Sequence, residues 1–192
     1  MSQSQLVDVF NEEVGMGLDI SAYSGLQKLD CVFNKDGDPI DAQTREYIDY
    51  DMHAYVNRDF PGRADDLEDG AYYTAKDSLG FRAGGYCGYN HWRDQLAELS
   101  GWAQGTYTQY GREYPSFSAS AWKASSGPFW ELINFSDCDG TIGATVSAKL
   151  HADFEAFQEK ASQHADERFV EIYGNFKAAF ALASEGGAVR FH

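Results

Sequence analysis

The sequence predicts an α+β domain, and three observations point to it. Two long stretches near the C-terminus carry apolar residues at helical spacing. The N-terminal third holds an Asn- and Asp-rich tight-turn signal between short apolar runs. Helical and strand-like segments otherwise follow one another without the regular alternation of a βαβ frame. With 192 residues and 43% apolar content, the chain suits a single domain with a sizeable core. It divides into an acidic part (residues 1–80), an aromatic and glycine-rich middle (81–142) and a helical hairpin (143–187).

In chain order, residues 6–13 suit a short helix, ended near Gly15 and Gly17. Residues 29–33 read as a strand entering the turn Asn34-Lys35-Asp36-Gly37-Asp38, where Asp-Gly supplies the positive φ of a tight hairpin. Pro39 and Ile40 start the return strand. Residues 47–56 fit strand or helix, 60–70 form an acidic loop bounded by Pro and Gly, and 71–79 are ambiguous. Asn90 is placed to cap a helix over 91–99, with Trp92, Leu96 and Leu99 on one face and Gly101 as its stop. Residues 101–127 suit loops or short strands, and 129–135 (FWELINF) read as a buried strand. Val146, Leu150, Phe154, Phe157 and Ala161 mark an amphipathic helix over 144–163. Phe169, Ile172, Tyr173, Phe176, Ala179, Phe180 and Ala183 mark a second over 166–184, ended by Gly186-Gly187. A final strand over 188–191 completes a small antiparallel sheet with the Gly37 hairpin and 129–135. The helix over 91–99 and the helical hairpin cover it.

Thirty acidic residues oppose fifteen basic ones, a net charge of −15. Contact with a phosphate backbone needs cationic surface, so this balance argues against nucleic acid as a direct partner. No apolar run reaches membrane-spanning length. The first ten residues lack the cationic start and apolar stretch of a signal peptide, and three scattered cysteines make no disulfide framework. Both features predict a cytoplasmic protein with reduced thiols. Cys87, with Arg82, His91 and Arg93 nearby in sequence, is the best candidate for a reactive one.

The charge is focused. Between residues 36 and 69 stand eleven acids and three arginines, a local net charge of −8. A focused negative patch attracts cationic partners and speeds their association. The candidate contact residues are Asp49, Asp51, Asp59, Asp65, Asp66, Glu68 and Asp69, with Tyr72, Tyr73, Tyr86, Tyr89 and Trp92 as aromatic anchors. The Gly- and Tyr-rich run 81–93 reads as a turn with packed tyrosines, as a partner-binding surface or as a small-molecule or catalytic site; it lacks the spacing of a nucleotide loop.

Residues 135–142, Phe-Ser-Asp-Cys-Asp-Gly-Thr-Ile, resemble the first motif of the haloacid dehalogenase superfamily. That resemblance implies Asp137 as nucleophile and Asp139 as general acid/base, with Mg²⁺ between them. Two carboxylates at i and i+2 on a strand-end loop can share a hard cation, and one can attack phosphorus. Only eight residues carry the likeness, and the family's later motifs do not follow as a set. The same segment also reads as a strand-to-helix loop, its carboxylates near the positive end of the helix starting about Ala144.

The stretches FRAGGYCGYNHWRDQLAELSGW, PFWELINFSDCDGTIGATVSAKLHADF and EGGAVRFH resemble an uncharacterised family of small bacteriophage, prophage and bacterial proteins. The resemblance spans residues 81–192 and carries over no catalytic residue. It implies a mobile-element accessory protein, a class that includes acidic inhibitors of host defence nucleases and repressors. The leading expectation is a non-enzymatic acidic protein, without cofactor, that binds a basic, nucleic-acid-binding host protein. The alternatives are a Mg²⁺-dependent hydrolase or phosphotransferase using Asp137 and Asp139, and a structural subunit of a virion or complex. The last would assemble through an aromatic patch over 106–122.

Overall fold

The computed structural model describes residues 17–192, so the helix expected over 6–13 lies outside the described residues. Strand β1 (Gly17–Ser24) alternates buried Leu18, Ile20 and Ala22 with partly exposed Asp19, Ser21 and Tyr23. The chain then builds a small lobe, residues 25–76, from β2 (Gln27–Lys28), β3 (Val32–Phe33), β4 (Pro39–Ile40), β5 (Met52–His53) and β6 (Tyr72–Thr74). The hairpin expected around Gly37 is β3–β4. Asn34 Oδ1 accepts from the Asp36 and Asp38 amides at 2.8 and 2.9 Å, and Gly37 takes φ 90°. It forms its own ribbon rather than an edge of the main sheet, and β2, β6 and β5 form another.

Strand β7 (Asp77–Gly85) returns antiparallel along β1 and runs straight into α1 (Tyr86–Leu99). The helix therefore starts before Asn90, which lies inside it and is not its cap. Trp92, Leu96 and Leu99 form its buried face as expected. Its end is a Schellman closure: Gly101 takes φ 91°, and the Gly101 and Trp102 amides donate to Glu98 O and Ala97 O at 3.0 and 3.1 Å. A hairpin, β8 (Gly105–Gln109) and β9 (Arg112–Ser116), leads to two short helices, α2 (Ser118–Ala121) and α3 (Trp130–Ile133).

Helix α3 replaces the strand expected over 129–135. Phe129, Leu132 and Ile133 are fully buried, and their i, i+3, i+4 spacing is one helical face, not strand alternation. The carbonyls at the end of so short a helix have few partners of their own. Two buried arginines meet them. Arg63 donates to Glu131 O and Asn134 O, both at 3.0 Å, and Arg93 donates to Ile133 O and Phe135 O at 3.3 and 2.5 Å.

Strand β10 (Gly140–Gly143), helices α4 (Ala144–Ser162) and α5 (Glu167–Ala183) and strand β11 (Ala188–Phe191) complete the α+β fold. The helical hairpin matches the sequence expectation closely. Asp166 caps α5 by accepting from the Arg168 and Phe169 amides at 2.9 and 3.3 Å. The main sheet has the order β10-β11-β1-β7, antiparallel throughout. One face, with Leu18, Ile20, Ala22, Val189 and Phe191, packs in the core that holds Trp92, Phe154, Phe176 and Phe180 of the helices. Tyr23 and Ala188, opposite in the pleat, pack with Met52, Ala54, Ala71 and Tyr73 of the lobe. The sheet is thus a middle layer between the helices and the lobe. Among the described residues, no helix is long and apolar enough to cross a membrane.

Candidate functional site

The lobe's acidic residues divide by what they hold. Asp51 Oδ2 accepts from the Ala75 amide at 2.7 Å, and Glu68 pairs with Lys28 at 2.5 Å. Asp69 accepts from the Val56 amide at 3.0 Å and pairs with Arg58 at 3.2 Å; these partners hold its carboxyl below the usual range. Asp66 reaches outside the lobe. Its Oδ2 accepts from the Thr145 amide at 3.0 Å, in the first turn of α4. It takes the place at the positive helix end that the sequence suggested for Asp137 and Asp139. Asp49, Asp59 and Asp65 are exposed and make no hydrogen bond or ion pair through their side chains among the described residues. Of the three opposing arginines, Arg63 is 5% exposed and lies over the Trp130 ring at 4.3 Å, so it does not pair with the exposed acids.

The aromatic anchors need correction. Tyr89 and Trp92 are 0% and 2% exposed, Trp92 stacking on Phe176 at 4.9 Å, so neither is available to a partner. Tyr73 is also buried, its hydroxyl accepting from the Glu68 amide at 3.0 Å. Tyr86 is half-buried against the core. Tyr72 is the one that joins an exposed cluster. The Phe33, Tyr50 and His53 rings lie 5.8, 4.6 and 4.3 Å from it. Phe33 is 54% and Tyr50 48% exposed, and Tyr47 nearby in sequence is 73% exposed. Asp49 and Asp51 flank Tyr50 in the chain. The signal for these missed residues was present: Tyr47 and Tyr50 sit among acids without the apolar periodicity of a core element.

A second feature is a cleft of about 640 Å³ between α1 and the β8–β9 hairpin. Its lining includes Asn90, Asp94, Tyr107, Ser118, Trp122 and Asp137. Asp137 Oδ2 accepts from Asn90 Nδ2 at 2.6 Å and lies 3.9 Å from Arg93 Nη2. Asp94 Oδ1 accepts from Ser116 Oγ at 2.6 Å and the Ser118 amide at 2.9 Å. Cys87, exposed in the first turn of α1, lies at the same cleft, and all three cysteines are free.

The segment 135–142 departs from the dehalogenase pattern. It follows α3 and leads into β10, a strand of an antiparallel sheet, whereas that motif needs a strand before it in a parallel frame. Asp137 and Asp139 also serve different partners. Asp139 Oδ1 accepts from Asn57 Nδ2 and Ser136 Oγ, both at 3.1 Å. Asn90 and Arg93 face Asp137 while Asn57 and Ser136 face Asp139, so the two carboxylates have separate partners. Comparison with protein-family models, curated proteins and solved structures finds no match.

Proposed function

We propose that the chain is a non-enzymatic docking protein whose lobe binds a basic protein surface, of the kind that otherwise binds nucleic acid, and thereby inhibits it. One observation carries this reading. The Phe33–Tyr50–Tyr72 cluster, with Phe33 and Tyr50 exposed, shares a small lobe with carboxylates that no cation among the described residues pairs with. Flat aromatic faces beside free carboxylates suit Lys and Arg side chains, through cation–π contact and charge pairing together. Aromatic residues also supply most hot-spot energy at protein interfaces.

The test titrates a fluorescent Arg/Lys-rich peptide against the protein, with a sequence-scrambled acidic peptide as control. Binding of the basic peptide should weaken by about tenfold or more between roughly 50 and 300 mM salt. The Asp49→Asn/Tyr50→Ala pair should weaken it further, while leaving the fold intact by circular dichroism. Salt-independent binding, or equal binding of the acidic peptide, refutes the proposal.

A further inference from the structure

The cleft between α1 and the β8–β9 hairpin carries groups that the fold leaves unused. Asp137 and Asp94 each spend one carboxylate oxygen on the protein, through Asn90 and through Ser116 and Ser118. The second oxygen of each has no hydrogen-bond partner among the described residues. Ser118 lines the same cleft, is 3% exposed, and its Oγ has no partner either. Tyr107 and Trp122 add an aromatic wall, their rings edge to face at 5.8 Å, with Trp122 45% exposed.

Arg93 is at this cleft too, with its hydrogen bonds committed to the fold and its charge 3.9 Å from Asp137 Oδ2. Its side chain is 8% exposed, and its guanidinium donates to Ile133 O, Phe135 O and Asn90 Oδ1. An anion would meet two carboxylates in a protein of net charge −15. The complement is a planar cation that offers several donors along its edge and a face for stacking. Guanidinium has that shape; ammonium lacks the plane and the fork.

We infer that this cleft receives a guanidinium group, presented as an arginine side chain of the basic partner. The inference rests on the proposed docking function and names the residue type that anchors it. The guanidinium edge takes the free oxygens of Asp137 and Asp94, and its face lies against Trp122. A cavity of about 640 Å³ accommodates one such side chain with its flanking backbone.

The probe is N-acetyl-arginine methylamide, followed through the Trp122 indole resonance, assigned with Trp122→Phe. The lysine and citrulline counterparts are titrated in parallel. The arginine derivative should bind saturably, and neutral citrulline should bind weaker by about tenfold or more, the worth of one charge-assisted hydrogen bond. Asp137→Asn, which keeps an acceptor for Asn90, should weaken arginine binding by a similar factor, and Trp122→Ala, followed by titration calorimetry because it lacks the indole, should weaken it again. Equal binding of arginine and citrulline, or binding unchanged in both variants, overturns the inference. Tighter binding of agmatine than of the arginine derivative overturns its assignment to a protein partner. The basic peptide separates the two proposals. If it binds Asp137→Asn as well as wild type but loses affinity in Asp49→Asn/Tyr50→Ala, the cleft inference falls and lobe docking stands. If it does not bind at all, the docking function falls.

Discussion

Asp66 and Gly143 should be coupled, and the coupling can be measured. Gly143 ends β10 and is the N-cap of α4, yet it has no side chain to cap with. Asp66 supplies the cap from the lobe, accepting from the Thr145 amide at 3.0 Å. The carboxylate fills the place of a Gly143 side chain, since a Cβ there would lie 1.7 Å from Asp66 Oδ1. Gly143 itself has φ −78° and ψ 178°, which alanine adopts without strain. Gly143→Ala therefore acts by expelling Asp66. Losing a side-chain cap costs about 1 kcal/mol, in a range of roughly 0.5–2. Asp66→Ala loses the same interaction directly, so each single variant should cost about 1 kcal/mol and the double variant also about 1, not 2. Urea unfolding of the four proteins gives the cycle, with a coupling of about 1 kcal/mol expected. Asp66→Asn should retain most of the stability, because asparagine caps as well as aspartate. Additive costs would refute the reasoning and show that Asp66 does not cap α4.

Three further outcomes follow from buried and capping groups. Tyr89 is fully buried, its hydroxyl has no partner among the described residues, and burial pushes its pKa far up. Tyr89→Phe should stabilise the protein by about 1 kcal/mol in urea unfolding; a loss would reveal a hidden hydrogen bond. Arg93→Met removes the donor to Ile133 O and Phe135 O and leaves these carbonyls without it, so it should cost about 3 kcal/mol by the same measurement. The hydrogen bond from Gln95, then the Phe169 amide, holds the Asp166 carboxyl below its usual range, and the Val56 amide, then Arg58, does the same for Asp69. As pH falls the unfolded chain takes up these protons first, so their stabilisation is intact above about pH 4 and is lost as pH drops through the native values. In Asp166→Asn the acid-induced loss between about pH 4 and 2 should be smaller than in wild type, measured by thermal unfolding.

What the sequence revealed of the fold depended on the length of the pattern. Helices α4 and α5 repeat their apolar spacing over several turns, and their boundaries emerge within a residue or two. The β3–β4 turn carries its own local chemistry in Asn34 and Gly37, so it needs no tertiary context. Residues 129–135 lack both advantages. The segment is strongly apolar but short, and its helical turn is fixed by Arg63 and Arg93 from distant parts of the chain. Strand β1 was legible in principle through Leu18, Ile20 and Ala22, but glycines around it read as helix-ending punctuation. Asn90 has the right residue type for a cap. It misleads because β7 feeds α1 without a loop and frees the side chain to hold Asp137.

The candidate site was legible as charge but not as geometry. Composition locates the negative excess between residues 36 and 69 and cannot tell which carboxylates are already spent. Asp51, Asp66, Glu68 and Asp69 each bind a backbone amide or a cation, so their acidity stabilises local structure first. Neutralising the Asp65–Asp69 run as a block would therefore mix folding with binding. Asp49, Asp59 and Asp65 carry no such duty, and they are the positions where charge can be removed without touching a contact. Arg63 sharpens the same point from the other sign. Counted as a surface base, it would pair with an acid; buried against Trp130 and the carbonyls of α3, it pairs with none of the exposed ones. Under the proposed docking function, the carboxylates open to direct pairing are therefore Asp49, Asp59 and Asp65, and Asp49 adjoins the exposed Tyr50 in the chain. Substituting those aspartates by asparagine should lower the salt slope of basic-peptide binding without loss of stability in urea unfolding, whereas Asp66→Ala should cost stability as well.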